Sequence, residues 1–226
     1  MPKALAAAND RTAGPRRREA REAARRESFM RVAAAVFREH GLAGATMEQV
    51  AAAAGVTKVV LYRRFPSKDA LIQAIVDETI RLLRGGVAKP WTGYGAGIRK
   101  SLEAARSFAD GYVLLIRYAD QHPYCHAARA EHRKRSAKRL RALLWNPEPA
   151  PPASEWPPLI DLAVEPMISF TNEALVYWVE NGDPSRDGLF IHWCGQMLRA
   201  WRNNAAELLN LDSPEHDWPF DTEAPP

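Results

Sequence analysis

Apolar residues recur every three to four positions along most of this chain, which is the period of an amphipathic α-helix. Eight segments follow this period and are predicted to be helices, over residues 29–41, 46–54, 57–65, 69–84 and roughly 98–121, 124–145, 159–181 and 185–210. The sequence is therefore predicted to fold as an all-α protein.

Glycine and proline mark where these helices end. Residues 85–97 contain five glycines and Pro90, which predicts a hinge or linker. Residues 146–158 contain six prolines, which predicts an extended loop. Gly111 and Pro166 fall inside predicted helices, so we expect a kink or a close approach at Gly111 and a kink or a later helix start at Pro166.

The two short helices on either side of Gly55 carry the most informative pattern in the chain. Thr46 and Gln49 have the spacing of a capping box, in which hydroxyl and amide satisfy free N–H groups at a helix start. Gly55 is expected to be the left-handed C-cap, and Thr57 is placed to begin the next helix. Two short helices joined by a tight turn are typical of a DNA-binding helix-turn-helix.

The second of these helices is predicted to have one buried side and one open side. Leu61 and Phe65 are four residues apart and are expected to face the core. The open side would present hydroxyls, a phenol and cations, which are groups that bond phosphate oxygens. The predicted DNA-binding residues are Thr46, Thr57, Lys58, Val59, Val60, Tyr62, Arg63, Arg64 and Lys68. A helix pair of this kind can also be a plain packing element, but the joint occurrence of these features favours DNA binding.

At these residues the chain resembles the tetracycline-repressor (TetR) family of bacterial transcription regulators, over roughly residues 25–75. Residues that fall on the family pattern are Thr46, Val50, Ala51, Ala54, Gly55, Val56, Leu61, Tyr62, Phe65, Ser67, Lys68 and Leu71. Val59, Val60 and Arg64 stand where the family usually has glycine, threonine and an aromatic residue or histidine. Two valines favour apolar contact with thymine methyl groups, so the operator sequence stays open.

The resemblance also implies properties of the rest of the chain. It implies a C-terminal domain with a pocket for a small-molecule effector, and a homodimer formed by the final two helices. It further implies that the Tyr62 hydroxyl contacts a DNA phosphate.

Charge is distributed unevenly along the chain. Residues 1–90 carry a net charge of +8 and the remainder carries −4, so the basic half contains the helix-turn-helix motif. This asymmetry favours a polyanionic partner at one end only, namely double-stranded DNA. Residues 1–15 lack periodicity and predict an irregular arm. The Arg- and Glu-rich stretch that follows, up to Arg26, predicts a solvated helix extension, which is favoured over a dedicated minor-groove arm.

Several functional classes find little support in the sequence. No signal peptide or long apolar run is present, and two cysteines cannot make a disulfide framework, so the protein is expected to be cytoplasmic and without membrane contact. His122, Cys125 and His126 lie close together but lack a carboxylate or a second cysteine, which disfavours a metal site. No nucleophile with a base and no phosphate loop is recognised, so we expect neither an enzyme nor a cofactor.

The final two predicted helices are apolar on more than one side, and such helices must be buried on both sides. In a protein of this size, the second side implies a partner chain. The C-terminal half is also rich in aromatic residues, and wide rings on long helices often leave a cavity. The predicted ligand-binding residues, chosen by periodicity alone, are Phe108, Tyr112, Leu115, Phe170 and Tyr177.

These patterns predict four segments. They are a flexible basic arm or helix extension over 1–24, a helix-turn-helix DNA-binding domain with its connecting helix over 25–84, a helical effector-binding and dimerisation domain over 91–210, and a disordered tail over 211–226. The expected function is that of a repressor released from a palindromic operator by a small, largely apolar ligand. The alternative is a DNA-binding activator or architectural factor without effector control.

Overall fold

The computed structural model describes residues 3–85, 93–144 and 158–208, and clustering of contacts divides the chain into two compact units, Met1–Ile75 and Val76–Pro226. The regular elements in these ranges are all helical, as predicted. They are α1 Lys3–Gly44, α2 Met47–Ala53, α3 Lys58–Tyr62, α4 Lys68–Gly85, α5 Tyr94–Ser107, α6 Ala109–Arg117, α7 Pro123–Leu144, α8 Pro158–Asn181 and α9 Asp187–Leu208, with short 3₁₀ turns at Ala119–Gln121 and Pro184–Arg186. The predicted tail 211–226, residues 86–92 of the predicted linker and residues 146–157 of the predicted loop lie outside the described residues.

Helix α1 is longer at its N-terminus than the sequence pattern predicts. It begins at Lys3, so the prediction of an irregular arm up to residue 15 is wrong for the backbone of this segment. Five alanines in residues 3–15 favour helix, and an i,i+4 pair between Arg18 and Glu22 adds to the stability of the helix further along. At the other end, Gly41 has φ 75° and ψ 157°, which interrupts the helix where the sequence predicts its end.

The N-terminal unit is built around apolar residues from its four helices. The most deeply buried are Phe37 of α1, Val50 of α2, Leu61 of α3, and Leu71 and Ile75 of α4. Burying a side chain of this size contributes about 1.5–3 kcal/mol, so five of them supply much of the stability of a small head. This core holds α2 and α3 in a defined orientation.

The C-terminal unit is a helical bundle in which α8 packs against α5, α6, α7 and α9, and α9 packs against α5. Its largest fully buried side chains include Leu102, Tyr112, Leu115, Ile160 and Met167. Gly195 lies at the contact between α9 and α5, where an added Cβ would come within 3.4 Å of the backbone nitrogen of Gly95. Gly195 therefore permits a close approach between α9 and α5 within the chain.

The predicted long helix over 98–121 is interrupted at Phe108. This residue has φ −147° and ψ 68°, which separates α5 from α6. Gly111 does not carry the break, but it permits a close approach: an added Cβ would lie 2.6 Å from Thr79 Oγ1 and 2.7 Å from the Phe108 ring. The backbone therefore turns at the aromatic residue, whose ring occupies the space left by the glycine.

Helix α8 runs through Pro166, so the later helix start considered from the sequence is not found. Proline at this position removes one N–H donor, which leaves the carbonyl of Leu162 without its intrahelical bond. None of the described helices is both long and apolar enough to cross a membrane.

Candidate functional site

The start of α2 has the predicted capping box. Thr46 Oγ1 accepts a hydrogen bond from the Gln49 backbone N–H at 3.2 Å, and the Thr46 N–H donates to Gln49 Oε1 at 2.7 Å. Thr46 is exposed, and its hydroxyl also donates a hydrogen bond to the Glu48 carboxylate. The cap therefore fixes the beginning of the helix and holds the Thr46 side chain at the surface.

The turn between α2 and α3 is a Schellman motif centred on Gly55. Gly55 has φ 64°, Val56 N–H donates to Ala51 O at 3.0 Å, and Gly55 N–H donates to Ala52 O at 3.1 Å. These two bonds satisfy carbonyls at the end of α2 and reverse the chain within two residues. Thr57 then precedes α3 without a side-chain capping bond, so its exposed hydroxyl is not used by the helix.

Helix α3 has the two sides predicted from its sequence. Leu61 and Phe65 are 0% and 1% exposed, which confirms their place in the core. Val59 is 75% exposed and Tyr62 42% exposed, whereas Val60 is half-buried. The isopropyl group of Val59 therefore contributes little to the core and is free to contact a molecule outside the head.

Lys58 and Glu48 form an ion pair that connects the first turn of α3 to α2. Hydrogen bonding to the Lys58 ammonium group holds the pKa of Glu48 below its usual range. Both side chains are about half exposed, so the pair is screened by water and contributes little to stability. A phosphate oxygen can therefore compete with Glu48 for this cation.

Lys68 has a structural contact that the sequence pattern does not reveal. Its Nζ donates a hydrogen bond to Ala43 O at 3.0 Å, which joins the first residue of α4 to the last turn of α1. The ammonium group has three protons, so two remain for a phosphate after this bond is made. Lys68 thus combines a helix-end contact with the predicted DNA contact.

A second unforeseen contact attaches α1 to the residues that follow α3. The Arg26 guanidinium lies over the Phe65 ring at 4.5 Å from its centroid, and Arg26 Nη1 donates to Arg64 O at 3.5 Å. Arg64 in turn lies 3.8 Å from the Glu22 carboxylate. The helix extension predicted from the sequence is therefore docked against the helix-turn-helix.

This docking creates a basic groove, which we call the arginine groove. It is lined by Arg17, Arg18, Arg21, Glu22, Arg25, Arg63 and Arg64. Six guanidinium groups face one carboxylate, and Arg63 and Arg64 belong to the predicted DNA-binding set. The exposed side of the head is therefore positive from the extension of α1 to the end of α3.

The geometry of the head agrees with comparisons to known proteins. Residues 29–75 match the family model of bacterial regulatory proteins, tetR family. The head of this chain therefore resembles that of the tetR family. The chain is accordingly a DNA-binding transcriptional regulator. No curated protein matches its sequence.

Solved structures share the fold well beyond the matched head. A TetR-like transcriptional regulator from Rhodococcus sp. RHA1 is similar with a TM-score of 0.62 and 18% identity, covering 82% of this chain and 96% of that one. A tetR-family regulator from Streptomyces coelicolor has a TM-score of 0.58 and 18% identity, covering 81% and 82%. The fatty acid degradation regulator FadR from Bacillus halodurans has a TM-score of 0.53 and 13% identity, covering 80% and 93%.

The five predicted ligand-binding residues do not line one cavity. Tyr112 borders an internal cavity, whereas Phe170 and Tyr177 lie on an open apolar groove at the surface of α8 and α9. Phe108 and Leu115 are 4% and 0% exposed and line neither space. Helical periodicity identified residues on apolar faces but could not tell which faces meet each other.

The internal cavity has a volume of about 170 Å³. Its walls come from six helices of the C-terminal unit, α4 to α9, and consist of Leu83, Tyr94, Gly97, Ile98, Lys100, Ser101, Tyr112, His132, Ser136, Arg139, Leu140, Ile168, Thr171, Asn172, Leu175 and Leu198. Tyr112 OH donates to Asn172 Oδ1 at 3.4 Å, and burial raises the pKa of Tyr94 to about 12, so both phenols are neutral. Helical periodicity missed most of this wall because it identifies apolar helix faces, whereas the wall includes polar residues of α7.

The histidine and cysteine cluster has local structural roles. His122 Nδ1 accepts the Tyr124 N–H at 3.2 Å and so caps the start of α7, Cys125 is buried, and His126 lies 3.8 Å from Asp120. Within the described ranges no group of three or more potential ligands is arranged to hold a metal ion.

Most of the arginines that crowd α7 are paired within the bundle. Arg133 bonds Glu165 and Ser169, Arg129 bonds Asp120, Arg135 bonds Glu131 and Arg141 bonds Asp161. Pairing with carboxylates neutralises much of the positive charge of this surface.

Proposed function

We propose that this regulator is a repressor that binds a palindromic operator as a homodimer and is released by a small ligand bound in its C-terminal unit. The observation that supports DNA binding is the exposed side of α3, where Val59 lies in solvent beside cationic and hydroxyl-bearing side chains. We assign residues 25–84 to DNA binding and residues 91–210 to ligand binding and dimerisation.

In this proposal the residues around α3 divide into two groups. Thr46, Thr57, Tyr62 and Lys68 bond phosphate oxygens and set the position of the head on the duplex. Val59 and Val60 enter the major groove, where they contact thymine methyl groups. The arginine groove adds further phosphate contacts beside them, which increase affinity for any sequence.

A homodimer is supported by the apolar surface shared by α8 and α9. Five large side chains there are strongly exposed: Tyr177, Leu189, Trp193, Met197 and Trp201. Tyr177, Leu189 and Trp193 border a surface groove of about 580 Å³, which is also lined by Trp178, stacked on Phe190 with ring centroids 4.9 Å apart. A contiguous exposed surface of this kind marks an interface, and the same surface on a second copy is the complement that a twofold axis supplies.

Effector control is supported by the internal cavity, which carries polar groups on a partly apolar wall, as ligand sites do. Helix α4 is continuous from Lys68 to Gly85, so it leads from the head into the cavity wall at Leu83. A ligand releases DNA only if it binds more tightly to the conformation that does not bind DNA.

Selection of bound sequences from a random DNA pool tests the proposal. Two inverted half-sites with a fixed centre-to-centre distance of one helical turn or a multiple are the expected result, because two identical heads read the two halves. Enrichment of a single half-site, together with a monomeric mass in solution, would contradict the dimeric mechanism.

A further inference from the structure

The internal cavity of the C-terminal unit has a charge pattern of one sign. Its wall contains two cations, Lys100 of α5 and Arg139 of α7, and the imidazole of His132. Among the described residues that line it, none is aspartate or glutamate. A concave space with low-dielectric walls and uncompensated positive charge concentrates anions.

Lys100 and Arg139 differ from their neighbours in having no counter-charge among the described residues. Neither makes an ion pair or a side-chain hydrogen bond within the part of the chain that the structure describes, although both are half-buried. Arg133, Arg135 and Arg141 of the same helix α7 all bond a carboxylate. Partial burial of an unpaired cation is unfavourable, and an anion bound in the cavity would offset that cost.

His132 adds a hydrogen-bonding group to this wall without adding charge at neutral pH. Burial lowers its pKa, and the nearby charges of Arg84 and Arg135 lower it further. A neutral imidazole has one donor and one acceptor nitrogen, so it can bond an oxygen of a bound anion. The positive charge of the site therefore comes from Lys100 and Arg139.

The other residues of the wall limit the size and the polarity of the ligand. Ile98, Ile168, Leu175 and Leu198 supply apolar surface from three helices. The volume of about 170 Å³ is below the range of about 300–1,000 Å³ typical of sites for drug-sized ligands. The cavity thus fits a small molecule with one charged end and a short apolar body.

We propose that the effector of this regulator is a small amphipathic carboxylate, whose carboxylate group bonds Lys100 and Arg139 and whose apolar body lies against Ile98 and Leu175. This inference rests on the proposed function, since it names the ligand class of the same effector site. It replaces the largely apolar ligand expected from the aromatic residues alone.

Titration calorimetry on the full-length protein tests the ligand class. The probes are hexanoate, octanoate and benzoate, each compared with the matched alcohol and the matched amine. We expect the carboxylates to bind and the amines not to bind. Lys100→Gln and Arg139→Gln should each weaken carboxylate binding by about tenfold or more, because each removes a charge-assisted hydrogen bond.

Lys134→Gln is the matched control, since Lys134 is an exposed cation on α7 that does not line the cavity. It should bind carboxylates like the parent protein, and circular dichroism should show the same helical content for all three variants. Equal binding of acids and alcohols, no binding of any carboxylate at millimolar concentration, or equal effects of all three variants would overturn the proposal.

Release of labelled operator DNA, measured in parallel, separates this inference from the proposed function. Carboxylates that bind through Lys100 and Arg139 but leave DNA affinity unchanged would support the ligand class and contradict effector control. Conversely, neutral compounds that release DNA and bind equally well to the parent protein, Lys100→Gln and Arg139→Gln would support effector control. That result would overturn the proposal that the ligand is a carboxylate.

Discussion

The Arg26 guanidinium lies over the ring of Phe65, 4.5 Å from its centroid, and this contact joins residues on α1 and beyond α3 that are far apart in sequence. Phe65 also forms part of the buried core, so one face of its ring packs inward while Arg26 covers another. The contact therefore connects the helix extension that carries most of the arginine groove to the helix-turn-helix, which we propose reads DNA.

Replacing Arg26 with alanine should destabilise the N-terminal unit. The loss of the cation–π contact should cost about 0.5–2 kcal/mol, and the face of the Phe65 ring that Arg26 covers would become exposed to water. Thermal unfolding followed by circular dichroism measures the change. Arg21→Ala is the control, since Arg21 is an exposed groove residue for which the described part of the structure shows no partner, and it should change stability by no more than about 0.5 kcal/mol.

Replacing Lys68 with alanine should have two separable effects. Loss of the phosphate contact should weaken binding to all DNA sequences alike and reduce the slope of log affinity against log salt by about one ion. Loss of the bond to Ala43 O should lower the free energy of unfolding by about 1 kcal/mol. Binding measured over a salt series and urea unfolding test the two effects, and Tyr62→Phe should reproduce the first without the change in salt slope.

Replacing Val59 with alanine should change which DNA sequences are preferred. Val59 is 75% exposed and contributes little to the core, so stability should stay within about 0.5 kcal/mol of the parent. Sequence selection should show weaker preference for thymine at the contacted position, and the salt slope should not change. An unaltered preference profile would show that α3 does not read bases through this side chain.

Replacing Trp193 with aspartate should disrupt the homodimer. Trp193 is 50% exposed on the apolar surface of α8 and α9, where a buried carboxylate would be strongly unfavourable in an interface. Sedimentation at micromolar concentration should show a shift to monomer, and operator affinity should fall with it. Lys134→Asp on α7 introduces the same charge outside this surface and should remain dimeric; if both variants behave alike, the interface lies elsewhere.

The two cysteines should be unreactive in the folded protein. Burial raises the pKa of Cys125 to about 11 and that of Cys194 to about 12, so few thiolates exist at pH 8. Iodoacetamide should therefore alkylate both residues slowly before unfolding and rapidly in denaturant. Because an unfolded thiol ionises at about pH 8.5, stability should also fall as the pH rises from there towards about 11.

The local elements of this protein could be predicted from the sequence because their causes are local. The capping box of Thr46 and Gln49, the left-handed Gly55, and the buried pair Leu61 and Phe65 all depend on residues within five positions of one another. Helix period, caps and turn chemistry act over the same short distances. The helix-turn-helix and the two-sided apolar character of α8 and α9 follow from these patterns.

The contacts that distinguish this molecule were decided by tertiary structure. Arg106 and Asp187 form a bidentate ion pair across 81 positions, Lys68 bonds Ala43 O across 25, and Gly195 of α9 lies against Gly95 of α5. A charged side chain can find many partners, and periodicity records only that a face is apolar, not which face it meets. The ligand-binding residues predicted by period alone were therefore dispersed, and the cavity with Lys100 and Arg139 became visible only when the helices were packed together.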